Sequence, residues 1–188
     1  VDITTNGGNT PYSSATETAS ITINSVNDAP ELTDGLSTST TKGGSGAPFA
    51  VNFGSWAQVS DVDGADFSGG TLTASISSGG EPTDVLRLAP SGGGVMTLSG
   101  SDVLVNGVTV GNWSGGTSET PLIVTFNANA DATDVQAVYK RVAFSNSDDY
   151  PVFGTRTLSV VVTDGDGGTS NTGTGEVTLN DVAPTATN

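Results

Sequence analysis

The run Asp61-Val62-Asp63-Gly64-Ala65-Asp66 puts three carboxylates within six residues, and the nearest basic residues along the chain are Lys42 and Arg87. A second acidic, glycine-rich run follows at Asp164-Gly165-Asp166-Gly167-Gly168. Like charges crowded into tight turns repel one another and resist burial. A fold built around such turns must either leave every acid in water or neutralise them with a cation. Calcium suits the second course, because it takes six to eight oxygens from carboxylates and carbonyls in flexible loops. The two runs therefore read as calcium sites, with a solvated turn as the alternative for each acid taken singly.

The rest of the composition agrees with a strand-and-turn protein. The 188 residues include 26 glycines and 8 prolines, and the hydrophobic share is only 34%, which favours short strands and many turns over helices. A chain this long still buries roughly 70% of its unfolded surface, and the alternating apolar segments argue against disorder. The net charge of -15 with five basic residues speaks against nucleic acid, whose phosphates need Lys and Arg. It equally disfavours an anionic membrane surface. The longest apolar run, Val160-Val161-Val162, is far too short to insert. With neither histidine nor cysteine, Ser-His and Cys-His nucleophile systems are excluded. A paired-carboxylate glycosidase is compatible with the composition, but the acids lie in glycine-rich turns, so the expectation is a non-enzyme.

Two stretches share one grammar. Ser20-Ile21-Thr22-Ile23-Asn24 alternates and leads to Val26-Asn27-Asp28-Ala29-Pro30, while Glu176-Val177-Thr178-Leu179-Asn180 alternates and leads to Asp181-Val182-Ala183-Pro184. The two prolines lie about 154 residues apart, the period of a tandem array. Residues 1–30 then read as the terminal strand and linker of a preceding repeat, and residues 31–188 as the main domain. The opening in mid-strand suggests a piece of a longer chain.

Within the main domain, residues 36–46 read as a Ser/Thr/Gly loop. Phe49, Val51 and Phe53 alternate, as do Leu72, Ala74 and Ile76, and then Leu122, Val124 and Phe126. Val85, Leu86 and Leu88 suggest a buried strand after Asp84. Asn106-Gly107 between two Val-rich runs predicts a type I′ hairpin. Thr133 and Gln136 suggest a capping box for one short helix, with Val135, Val138, Tyr139 and Val142 on one face. A long strand over 155–163 runs into the second acidic turn. The expected fold is all-β, a calcium-braced β-sandwich with one short helix.

The acidic turns match no standard calcium loop. Ala65 stands where an EF-hand needs a fifth-position oxygen and Leu72 where it needs the bidentate Glu, so each site must be assembled from several segments. The candidate metal ligands are Asp61, Asp63, Asp66, Asp164 and Asp166. Asp84 and the run Asn146-Ser147-Asp148-Asp149 are possible additions, and Asp28 and Asp181 stand where a linker site between neighbours would form. Trp56, Tyr150 and Phe153 are candidate ligand-binding aromatics beside Asp149. Packing is the alternative for each, and the stronger one for Trp113. Long loops at 36–46, 89–94 and 146–153 exceed what a bare spacer needs, and loops on a rigid scaffold are where recognition concentrates.

Taken in order, several segments resemble the cadherin-like repeats of giant bacterial surface adhesins of the RTX type. They are Val59-Ser60-Asp61-Val62-Asp63, Phe67-Ser68-Gly69-Gly70-Thr71-Leu72-Thr73, Asp84-Val85-Leu86, Phe126-Asn127-Ala128, Phe144-Ser145-Asn146-Ser147-Asp148, Gly154-Thr155-Arg156-Thr157 and Thr163 to Asn171, together with the Asn-Asp-Ala-Pro linker. The resemblance covers most of residues 19–184. It implies an extracellular module on the bacterial cell surface, flanked by neighbouring adhesin domains in tandem and monomeric by itself. It also implies calcium on Asp61, Asp63, Asn146, Asp148, Asp164 and Asp166. The strand Ala47-Pro48-Phe49-Ala50-Val51-Asn52-Phe53 departs from the family pattern and lacks a Glu ligand found there. Some distal modules of these adhesins bind free peptide C-termini through a bound calcium, an ion that reverses the local sign for an anion. The expected function is thus calcium-dependent binding of a peptide or protein ligand on a target cell surface. A calcium-rigidified extender is the runner-up, and a carbohydrate-binding module using Trp56 or Tyr150 is the third reading.

Overall fold

Alternation of inward apolar and outward polar residues builds most of the molecule. The computed structural model describes residues 18–23, 26–33, 37–42, 49–52, 57–63, 66–90, 94–117, 119–148 and 151–181, with the backbone alone at 37–42, 49–52 and 181. Thirteen strands are seen among these residues: β1 (Glu31–Thr33), β2 (Ser37–Lys42), β3 (Phe49–Asn52), β4 (Gln58–Ser60), β5 (Thr71–Ser78), β6 (Asp84–Leu88), β7 (Met96–Ser99), β8 (Asp102–Val105), β9 (Val108–Gly115), β10 (Leu122–Phe126), β11 (Val142–Asn146), β12 (Gly154–Thr163) and β13 (Gly173–Asp181). One helix, α1 (Ala132–Tyr139), sits between β10 and β11. The large sheet runs β2-β13-β12-β5-β10-β9-β8-β7, a three-stranded sheet runs β3-β11-β6, and β1 pairs with β4. The fold is the expected all-β sandwich with one short helix.

The central strands show the period-2 pattern of a sheet with one face on the core. Leu72 and Ala74 of β5, Leu158, Val160 and Val162 of β12, Leu122, Val124 and Phe126 of β10, and Val177 and Leu179 of β13 are all buried. With Leu86 and Leu88 of β6 and Phe144 of β11 they form one continuous core. The Asn106-Gly107 hairpin is present as read. Both residues take positive φ, 50° and 83°, and Val105 faces Val108 across the turn. Two positive φ angles define the type I′ turn, and glycine adopts them without Cβ strain.

Two local expectations change. The run over 36–46 is not all loop, because Ser37 to Lys42 form β2, parallel to β13 from Ser37↔Glu176 to Lys42↔Asp181. A Ser/Thr run without apolar alternation hides a strand whose partner is remote. The helix cap lies two residues before Thr133. Asp131 is the N-cap, its Oδ1 accepts the Asp134 N–H at 2.9 Å, and the Asp134 carboxylate reaches back to the Asp131 N–H. Gln136 instead accepts the Val59 N–H at 3.2 Å and ties the helix to β4. Residues 18–23 pair with no strand among the described residues, and Ile21 and Ile23 are each 88% exposed.

One polar group interrupts the apolar interior. Arg156 of β12 and Asp84 of β6 are 2% and 0% exposed and meet at 3.0 Å. Asp84 also accepts from Asn146 Nδ2 at 2.6 Å and from the Glu81 N–H at 2.8 Å. The pair bridges the two sheets at the end of the sandwich where β12 begins. Removing one partner leaves a buried charge alone, so Asp84→Ala should lose about 3–5 kcal/mol in urea denaturation. The double variant Asp84→Leu/Arg156→Met should lose far less. Asp131→Ala should cost about 1 kcal/mol through the lost cap.

Candidate metal centre

The two acidic runs, a hundred residues apart in sequence, come together at the other end of the sandwich. Phe67 is the anchor. It is fully buried and packs edge-on against Phe126 with ring centroids 6.4 Å apart, so the loop from Asp61 to Asp66 is pinned where it enters β5. The Gly69 N–H to Phe126 carbonyl bond and the Phe126 N–H to Gly70 carbonyl bond extend that anchor. The second run leaves β12 directly after Thr163. Gly165 lies so close to the first loop that a side chain there would strike the Ser68 carbonyl, and its φ of 96° already favours glycine. The hydroxyls of Thr71 and Thr163, 3.1 Å apart, tie the bases of the two loops.

The linker residues join them. Asn27 Nδ2 donates to Asp164 Oδ2 at 2.8 Å, and the Asp28 N–H donates to Asp63 Oδ2 at 2.6 Å. Three segments distant in sequence thus converge on carboxylate oxygens. A little further along, Asn171 holds β1 as a strand would: its side chain accepts the Leu32 N–H and donates to the Leu32 carbonyl, both at 2.8 Å.

Asp164 is the buried member, 3% exposed. Its Oδ1 accepts the N–H groups of Asp166, Gly167 and Gly168 at 2.8, 3.0 and 2.9 Å. Burial pushes its carboxyl up, but the Asn27 amide and these backbone donors outweigh burial and hold it below the ordinary carboxylate value. The other acids lie nearer water. Asp61 Oδ1 accepts the Asp63 N–H at 2.9 Å, and Asp66 Oδ1 accepts the Ser68 N–H at 2.7 Å. Asp63, Asp66 and Asp166 are exposed, and Val62 stands out between two acids at 88% exposure.

Of the proposed ligands, Asp63 and Asp164 are tied to one linker through Asp28 and Asn27, with Asp61 and Asp66 on the loop of Asp63 and Asp166 on the turn of Asp164. Among the described residues no three acidic side chains are gathered closely enough to hold an ion as they stand. The acidic side chains are oxygen donors of the kind a hard cation takes, and the chain has no histidine or cysteine, but the oxygens of Asp164 are already occupied by N–H groups. Asp84, Asn146 and Asp148 do not join this group. Arg156 and Asp164 are eight residues apart on one extended strand, about 26 Å, and the Asp84 network lies at the Arg156 end. There a guanidinium supplies the positive charge that a metal was expected to supply. Asn146 donates to Asp84 and accepts the Asp148 N–H at 2.7 Å.

Asp181 ends β13 opposite Lys42. Phe153 is 45% exposed and Val152 59%, an apolar pair just before β12. Trp56, Asp149 and Tyr150 lie outside the described residues. Trp113 is half-buried in β9, with its indole N–H on the Gly100 carbonyl at 3.3 Å, as the packing alternative expected. Reading by acidity alone overlooked Asn27, Asn171 and Arg156. The Asn-Asp-Ala-Pro linker was the available signal for Asn27.

A depressed carboxyl adds stability that is fully present above its unfolded value, about 3.9, and is lost as pH falls through the lower folded value. Asp164→Asn should therefore lower the melting temperature at pH 7, and the gap to the parent protein should close below about pH 4. Thermal scans of both proteins from pH 7 to 2.5 measure it.

Comparison of the chain with protein-family models, with curated proteins and with solved structures gives no match.

Proposed function

We propose that this chain is a calcium-stiffened β-sandwich module of a bacterial surface adhesin, working outside the cell as one unit of a tandem series. The observation that carries the reading is the convergence of the linker with both acidic turns, Asn27 on Asp164 and Asp28 on Asp63. Calcium bound among Asp61, Asp63, Asp164 and neighbouring carbonyls would neutralise the crowded acids and lock the linker to the sandwich. An extender needs that property, because flexure between units concentrates in linkers. The chain's role is mechanical and adhesive, without chemistry on a substrate.

A second reading, recognition of peptide or protein C-termini on a target cell, draws support from exposed Val152 and Phe153, which follow Asp148 by four and five residues in sequence. Short peptides with free carboxyl ends, titrated in calcium and then in EDTA, test it. Binding lost on chelation supports recognition, and no binding in either leaves the extender.

A ligand that binds only the folded state stabilises it by mass action, about 2.7 kcal/mol at a hundred times its Kd. Calcium should raise the melting temperature by roughly 5–10 °C for a domain of this size. Sodium chloride of equal ionic strength should do much less. Asp63→Asn/Asp164→Asn should remove the calcium increment. Equal shifts from both salts would indicate general screening and end the proposal.

A further inference from the structure

The far end of the sandwich holds an open groove of about 340 Å³, within the range of ligand sites. None of the acids of the metal centre lines it. One wall is the last half of β5, and the other is the turn Glu119-Thr120-Pro121 before β10. The wall of β5 is an unfinished ladder. On its β12 side the strand pairs as far as Ser78↔Thr157, with Ser77 bulged out where the register shifts. On its β10 side, pairing stops at Ala74↔Leu122. Beside Ser75–Ser78, among the described residues, no strand takes the place that β10 leaves. Four residues of central strand therefore present a free edge to the groove, and free edges are templates for another strand.

Two further observations say what kind of strand. Half-buried Ile76 and buried Leu86 put apolar surface into the groove. Glu81, half-buried, and Glu119, exposed, place a carboxylate on each wall, and the only salt bridge among the described residues is Asp84–Arg156. The chain as a whole carries -15, so the groove attracts cations and repels acidic chains.

We propose that this groove takes an extended basic peptide, which adds a strand to β5 along Ser75–Ser78 and sets Lys or Arg side chains against Glu81 and Glu119. Main-chain hydrogen bonds supply affinity in strand addition, and side-chain pockets supply selectivity. The proposal goes beyond the calcium-stiffened extender and does not need it. A carboxyl end is not part of this recognition, which separates it from the C-terminus reading.

The probe is the peptide acetyl-Lys-Val-Lys-Val-Lys-amide, blocked at both ends and titrated in low salt with amide chemical shifts followed by NMR. The shifts should centre on Ser75–Ser78 and Thr120. The same peptide N-methylated on alternate residues should lose binding, and a version with Glu for Lys should not bind. Glu81→Gln/Glu119→Gln should weaken binding roughly fivefold with the melting temperature unchanged, and added salt should do the same. Shifts centred on the acidic turns, equal binding of the N-methylated peptide, or no binding at all would each overturn the proposal. So would self-association through this edge, seen by sedimentation. The titration is run in calcium and in EDTA, so a loss of calcium stabilisation and a loss of peptide binding are read independently.

Discussion

A carboxylate taken out of water must be given donors, and Asp164 shows how much of one end of this molecule follows from that requirement. Three backbone N–H groups close the turn around one of its oxygens, and the Asn27 amide comes in from the linker to satisfy the other. The turn is therefore shaped by its own acid. The linker, which has little apolar surface to bury, is located by a polar contact. Phe67 does the complementary work for the first acidic run, fixing its exit in the core. Remove the donors from Asp164 and the linker loses its main reason to lie where it does.

The two ends of β12 solve the same problem differently. At its start, Asp84 is buried between the sheets and neutralised within the protein by Arg156, with Asn146 and the Glu81 N–H completing the shell. At its finish, buried Asp164 is held by three backbone N–H groups and the Asn27 amide, beside the exposed Asp63, Asp66 and Asp166. A permanent internal cation makes one end independent of the medium. The other end holds its buried acid with uncharged N–H donors alone. This division gives the acidic turns a physical reason to differ from the Asp84 group, although both are made of the same residue types.

Legibility in the sequence followed the range of the forces involved. Strands with strict alternation, such as β5, β10 and β12, and the Asn-Gly hairpin were readable because their signals are local. β2 was not readable, since a Ser/Thr run acquires strand character only from β13, far away in the chain. The helix was found but its start was misplaced, because Asp131 caps as well as Thr133 would and only geometry decides between them. The acidic runs were visible as charge, and the Asn-Asp-Ala-Pro run marked the linker that meets them. The partition of the acids was not visible. Asp84 looks like Asp164 in sequence, and the difference is a guanidinium that arrives from another sheet.

The parallel pairing of β2 with β13 has a mechanical consequence. Tension applied through the flanks of the domain pulls β2 toward its first residue and β13 toward its last. In parallel neighbours those directions are opposed along the strand axes, so the rungs from Ser37↔Glu176 to Lys42↔Asp181 are loaded together in shear. An antiparallel pair at the same place would peel open one rung at a time. This pairing would yield abruptly at high load instead of unravelling gradually.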